Sequence, residues 1–124
     1  MIITIYGINN CDTVKKALKW LNEANIKYHF YDFKKQPLTT EIICQFEQLS
    51  DWGKLINKRS TTYRNLSDEI KNNLNDKIAF EQVLVHPTLL KRPLLLIEDD
   101  SQEKQLHLGF NAQNYQALFQ HETA

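Results

Sequence analysis

The sequence predicts an α/β fold: a mixed sheet assembled from an N-terminal β–α–β unit and a C-terminal β–β–α unit, with a helical insertion between them. Three observations carry this. Residues 2–32 pass from an apolar run to a 3.6-residue stripe and then to strict alternation. Residues 38–86 carry helical patterns only, and after Pro87 strand signals return and lead into one more amphipathic helix. The 124 residues have the usual length of one domain, and 42% hydrophobic residues can fill a core, so a single domain over 1–124 is expected, its insertion at about 38–86.

Residues 2–6 read as a short isoleucine-rich strand and residues 7–10 as a turn. A helix follows from about Asp12 to Ala24, in which Val14, Ala17, Leu18 and Leu21 give the stripe of a buried face. Asn10 or Cys11 is its N-cap, Asp12 suits the dipole, and Asn25 can end it in a left-handed conformation. In "IKYHFYD", residues 26–32, Ile26, Tyr28 and Phe30 alternate with Lys27, His29 and Tyr31, which predicts a second strand, parallel to the first across the helical crossover. Thr39 can cap a helix bearing Ile42, Ile43, Phe46 and Leu49, and Leu66 to Val85 holds two shorter helical patterns. Between them "LINKRSTTYRN" is polar, basic and poor in helix formers, and reads as a functional loop. The apolar run at 94–97, a turn at Asp99–Ser101 and the alternating Leu106 and Leu108 predict a β-hairpin. Asn111 then caps a last helix with Tyr115, Leu118 and Phe119. This order matches a thioredoxin-like sheet with helices on both faces.

The formal net charge is zero, but residues 1–64 carry ten Lys/Arg against six Asp/Glu, whereas residues 65–124 carry five against nine. A balanced chain is not the basic domain that nucleic acid selects, though its basic half can attract a small anion or an acidic peptide. The start "MIITIYG" is too short an apolar run for a signal peptide, and no stretch reaches membrane-spanning length. A reducing cytoplasm is therefore expected, with Cys11 and Cys44 as free thiols, too far apart in sequence for a C-x-x-C or zinc-ligand motif.

Cys11 is the candidate nucleophile. It stands where a strand and turn give way to a helix, and there the unpaired backbone N–H groups of Asp12, Thr13 and Val14 and the helix dipole favour an anion. Arg59 and Arg64 in the polar loop, and Arg92 before Pro93, can grip an oxyanion or carboxylate bidentately. Arg92 is the strongest of these, because an X–Pro bond just before a core strand of a thioredoxin-like sheet is where a cis proline lies beside the helix N-terminus. Cys44, next to Ile43 in an apolar helix, reads as packing. His29, His86, His107 and His121 show no metal spacing and read as surface or structural residues, and Gly7, Gly53 and Gly109 stand alone rather than in a phosphate loop.

Four ordered blocks, "YGINNCDTVKKALKWL", "INKRSTTYRNL", "KRPLLL" and "LGFNAQNY", resemble the glutaredoxin-coupled arsenate reductase and Spx family (the ArsC/Spx family), and look most like its YffB branch. The resemblance spans nearly the whole chain. It implies a thioredoxin-like fold, Cys11 as nucleophile, a cis Arg92–Pro93 bond, and an anion pocket using Arg92 and an arginine of the 57–64 loop, for which Arg59 is chosen over Arg64. Family arsenate reductases usually carry histidine where this chain has Gly7, a hydroxyl residue where it has Val14, and a third arginine where "HLGFNAQ" has none. Spx-type regulators usually carry a C-x-x-C switch, which Val14 removes. The expected function is thus a glutathione-dependent thiol reductase with a single nucleophilic cysteine. Glutathione is the co-substrate, glutaredoxin a recycling partner, and no cofactor or metal is bound. The alternatives are an arsenate reductase and a non-catalytic Spx-like regulator that binds a protein partner.

Overall fold

The computed structural model describes residues 1–120, so His121 lies outside the described residues. Among the described residues, 1–35 and 92–120 form one compact unit, and 36–91 a second.

The first unit is organised on β1 (Ile2–Gly7), which runs into helix α1 (Asp12–Glu23) and back along β2 (His29–Asp32). Strands β3 (Leu94–Glu98) and β4 (Lys104–Leu108) and helix α7 (Ala112–Leu118) complete it. The sheet order is β2-β1-β3-β4, with β1 parallel to β2 and the other pairs antiparallel, the mixed sheet expected. Alternation along the strands puts Ile3, Ile5, Leu95 and Ile97 on one face, where they pack with Ala17 and Leu21 of α1 and with Tyr115 and Phe119. Tyr6 points the other way and meets the ring of Tyr31 at a tilt, centroids 5.1 Å apart.

Strand β2 is shorter than its alternating pattern. Asn25 does adopt the left-handed conformation (φ 58°), and the bonds Asn25 N–H to Asn22 C=O (3.1 Å) and Ile26 N–H to Leu21 C=O (3.0 Å) make a Schellman cap. That cap ties down residue 26, so pairing begins only at Thr4↔His29, although Ile26 and Tyr28 still pack against the core. In the β3–β4 turn the Asp99 carboxylate accepts from the N–H groups of Ser101 (2.9 Å) and Glu103 (3.0 Å), while Gln102 takes φ 66°.

The second unit is helical: α2 (Thr40–Leu49), α3 (Trp52–Leu55), α4 (Thr61–Arg64), α5 (Asp68–Asn72), α6 (Asp76–Val85) and a 3₁₀ turn at Pro87–Leu89. Thr39, Asp51, Ser60, Ser67 and Asn75 each cap a helix through a side-chain oxygen. The segment expected as a polar loop at 55–65 is more ordered than its composition suggests. Asn57 donates to Leu89 C=O (2.8 Å), Lys91 to Leu55 C=O (2.8 Å), and the nearly buried Ser60 turns the chain into α4 by accepting from Tyr63 N–H (3.1 Å). A serine cap nucleates a helical turn there despite a run of poor helix formers. No described helix is long and apolar enough to cross a membrane.

Tyr115 carries a prediction. Its side chain is 1% exposed, its ring meets Trp20 and Phe110 edge-on, and its hydroxyl has no hydrogen-bond partner among the described residues. Burial raises its ionisation well above the ordinary 10.0. As pH rises past that value the unfolded chain gives up this proton while the folded chain keeps it, so stability present below pH 10.0 is lost above it. Tyr115→Phe should leave neutral-pH stability unchanged or raise it by up to about 1–3 kcal/mol, and should flatten the alkaline loss. Urea midpoints at neutral and alkaline pH check both.

Candidate active site around Cys11

At the C-terminal end of β1, Gly7 pairs with Asp32 of β2, and its C=O accepts from Phe33 N–H (3.0 Å). The chain then turns through residues 8–10, with Cys11 N–H reaching Ile8 C=O at 3.4 Å, and Lys15 N–H to Cys11 C=O (2.9 Å) opens α1. Of the two expected N-caps it is Cys11 that takes the position, in extended conformation (φ −102°, ψ 124°), and its side chain makes no capping bond. The thiol is half-exposed, while the N–H groups of Asp12, Thr13 and Val14 lie in the first turn, where an α-helix offers no carbonyl four residues back. Asp12 and Thr13 are exposed but Val14 is fully buried, so at Val14 only the backbone faces this site.

What seats α1 here is absent from the sequence patterns. A Cβ placed on Gly7 would stand 2.8 Å from Val14 Cγ2 and 3.2 Å from Cγ1, closer than side chains pack. Gly7 is therefore a place where strand and helix approach too tightly for a side chain on the strand. The two positions singled out as departures from the arsenate reductase pattern are in contact with each other.

Strand β3 brings the second part of the site. Tyr6 pairs with Leu94, so Arg92 and Pro93 fall just beyond that pair, at the sheet end from which β1 departs for Cys11. The Arg92–Pro93 bond is cis, as expected. Pro93 is buried, its C=O accepts from Gly109 N–H (2.9 Å), and Gly109 uses the positive φ (+76°) open to glycine to turn away from β4. Arg92 is half-buried. Tyr6 on the adjoining strand has its ionisation raised by burial and, secondarily, by Tyr31.

Cys11, the N–H groups of residues 12–14, Arg92 and Pro93 thus gather at one end of one sheet. Arg59 and Arg64 belong to the second unit: both are exposed, Arg59 N–H donates to Asn57 Oδ1 (3.0 Å), and Arg64 C=O accepts from Lys71 Nζ (3.0 Å). Cys44 corrects an expectation. It is exposed rather than packed, because the buried face of α2 is set by Ile43 and Phe46, and the next position after Ile43 rotates about 100° away. Both cysteines are free thiols. His29 and His86 are exposed, and His107 is partly buried, which lowers its ionisation, with Nε2 3.1 Å from Gln105 Oε1. Among the described residues no group of three or more His, Cys, Asp or Glu is placed to hold a metal ion.

The Gly7–Val14 contact yields a stability test. Gly7→Ala should destabilise the fold by about 1–3 kcal/mol through overpacking, and Val14→Ala by a similar amount through the cavity it leaves. The double variant should cost less than the sum, because the smaller residue 14 makes room for the new Cβ. A urea double-mutant cycle measures the coupling, and strict additivity would contradict the contact.

Comparison with known proteins agrees with this architecture. The ArsC family profile matches residues 6–118, from β1 to the last residue of α7. An uncharacterised protein of Haemophilus influenzae is 45% identical over 118 residues, covering 95% of this chain and 99% of that one. The global transcriptional regulator Spx of Lactiplantibacillus plantarum is 30% identical over 112 residues, 89% of this chain and 80% of its own. Among solved structures, a YffB protein superposes with a TM-score of 0.83 at 32% identity, covering 93% of this chain and 96% of its own. An arsenate reductase related protein from Brucella melitensis gives 0.74 at 40% identity, with 96% and 95% covered. A family profile that matches residues 6–118, from the end of β1 through the other three strands and both flanking helices of the sheet, shows that this chain belongs to the ArsC family.

Proposed function

We propose that the chain is a thiol-dependent reductase in which Cys11 attacks a sulfur and glutathione resolves the adduct. The observation that carries this reading is the position of Cys11 itself: a half-exposed free thiol at the N-cap of a twelve-residue helix, with no capping bond to occupy it. The first-turn N–H groups of Asp12, Thr13 and Val14 steady its anion, and Arg92 at the same sheet end holds a carboxylate of glutathione. Arg59, and less strongly Arg64, are given the same task by the family resemblance, and that assignment stands on the sequence alone. Family membership and relatives that include arsenate reductase related and Spx proteins support a redox role.

The electrons balance simply. Cys11 thiolate attacks one sulfur of a disulfide, that S–S bond breaks, and the leaving thiolate takes the electron pair. Glutathione thiolate then attacks the substrate-derived sulfur of the mixed disulfide, and the pair returns to Cys11. A second glutathione, or glutaredoxin, clears the glutathione disulfide so formed. No cysteine stands three residues along on α1, where Val14 is packed on Gly7, and this supports resolution by an external thiol. We place the reaction in a reducing cytoplasm, the compartment that supplies this thiol.

Arsenate is the weaker substrate. A multiply charged oxyanion beside a thiolate needs several donors, yet Gly7 has no side chain, Val14 is buried, and the turn after β4 carries no arginine. Glutathione needs less, because its carboxylates lie away from the sulfur.

Intact-mass analysis after exposure to oxidised glutathione tests the assignment. The wild type and Cys44→Ser should each gain one glutathione rapidly, whereas Cys11→Ser should react only slowly, through exposed Cys44. Arg92→Ala should slow the adduct about ten-fold, the loss of roughly one charge-assisted hydrogen bond. An adduct that follows Cys44 instead, or no adduct at all, would favour a protein-binding role, and arsenate turnover that outruns glutathionylation would favour arsenate.

A further inference from the structure

Strand register fixes two ends of the sheet, and their charges differ. At the Cys11 end, Lys34 and Lys35 leave β2 just past Asp32, the partner of Gly7, and both are exposed. Lys15 and Lys16 are exposed on the first turns of α1, about 6–8 Å along the helix axis from Cys11. Arg92 precedes β3 at the same end. None of these cations forms an ion pair among the described residues. The carboxylates at this end are Asp12, exposed beside Cys11, and Asp32, which is buried and accepts from Lys34 N–H (3.0 Å).

The opposite end holds Glu98, Asp99, Asp100 and Glu103 around the β3–β4 turn. There Lys104 Nζ lies 3.7 Å from Glu98 and the N-terminal ammonium 2.9 Å from Asp100, which leaves Lys27, exposed just before β2, as a cation outside the ion pairs of the described residues. The sheet therefore separates charge along its strands, with the carboxylates around the β3–β4 turn and most of the unpaired cations around the thiol. Such a field draws anions to the basic end and turns an approaching molecule so that its negative part faces Cys11.

We propose that the preferred substrates of Cys11 are peptide or protein disulfides with acidic residues flanking the sulfur; this rests on the reading of Cys11 as the attacking thiol. The cations come from three separate segments, the chain after β2, the first turns of α1 and the residue before β3. A small oxyanion can touch one or two such groups, whereas an acidic peptide lying across Cys11 meets several. The same charges stabilise the thiolate that leaves when the substrate S–S bond breaks. Glutathione supplies the electrons that restore Cys11.

Three synthetic disulfides test this, each with the same leaving thiol and with flanking residues that are acidic, neutral or basic. Their exchange rates with the wild-type protein are measured at about 0.01 M salt, where screening acts over ~30 Å, and at about 1 M, where it acts over ~3 Å. The acidic peptide should react about ten-fold faster than the neutral one at low salt, the basic one slower, and the three should converge at high salt. Lys34→Glu/Lys35→Glu should erase or invert the order, read as the rate of each charged peptide relative to the neutral one in the same variant. Lys15→Glu/Lys16→Glu should do the same without loss of fold, since glutamate suits the start of a helix. Equal rates for acidic and basic peptides at low salt, with the neutral peptide reacting briskly through Cys11, would overturn the substrate preference alone. Failure of Cys11 to exchange with the neutral peptide would overturn the reductase reading and this inference with it.

Discussion

The close approach of Gly7 to Val14 is the constraint on which the Cys11 end of the sheet depends. Because β1 ends on a residue without a side chain, α1 can lay Val14 against the strand itself, and Ala17 and Leu21 then follow at helical spacing onto Ile3, Ile5, Leu95 and Ile97. Burial of those side chains, roughly 1.5–3 kcal/mol for each large one, outweighs surface pairs such as Lys19–Glu23, which are exposed, 4.0 Å apart and worth about 0–1 kcal/mol. Once Val14 is seated, Cys11 falls one helical turn earlier, at the N-cap. The thiol's position follows from apolar packing, and its charge environment from the unpaired first turn that packing leaves behind.

That constraint also bears on substrate. In the arsenate reductase pattern both sides of the nucleophile carry polar side chains, four residues before it and three after. Here the two positions are glycine and valine, and they touch. They form one apolar joint, in which a side chain at residue 7 would run into Val14. The positive charge at this end of the sheet lies farther out, on Arg92 and the exposed lysines.

Much of this was legible in the sequence because it rests on local physics. The i, i+3, i+4, i+7 stripe of α1, the left-handed Asn25, the hairpin of β3 and β4 and the caps at Thr39 and Asn111 all follow from rules acting over a few residues. The placement of Cys11 followed from the same rules. What was not legible depended on contacts distant in sequence or on a single rotation. The Schellman bonds of Ile26 cut β2 short, the bonds from Asn57 and Lys91 ordered a segment that composition gave to a loop, and one step of helical rotation put Cys44 in solvent. The Gly7–Val14 contact and the missing partner of the Tyr115 hydroxyl are packing facts with no signature in residue type.

Cys44 makes a direct test possible within one native molecule. Cys11 and Cys44 are both free, but Cys44 is the more exposed and lies within α2 rather than at a helix N-cap. The measurement is the ratio of their carboxamidomethylation rates at neutral pH, read by peptide mass spectrometry after a limiting pulse of iodoacetamide, a neutral reagent that senses thiolate rather than steering. If the seat of α1 activates Cys11, it is labelled faster than Cys44 despite its lower exposure, and the ratio falls to one or below when urea unfolds the chain. Labelling that simply tracks exposure, with Cys44 ahead in the folded protein, would contradict the account.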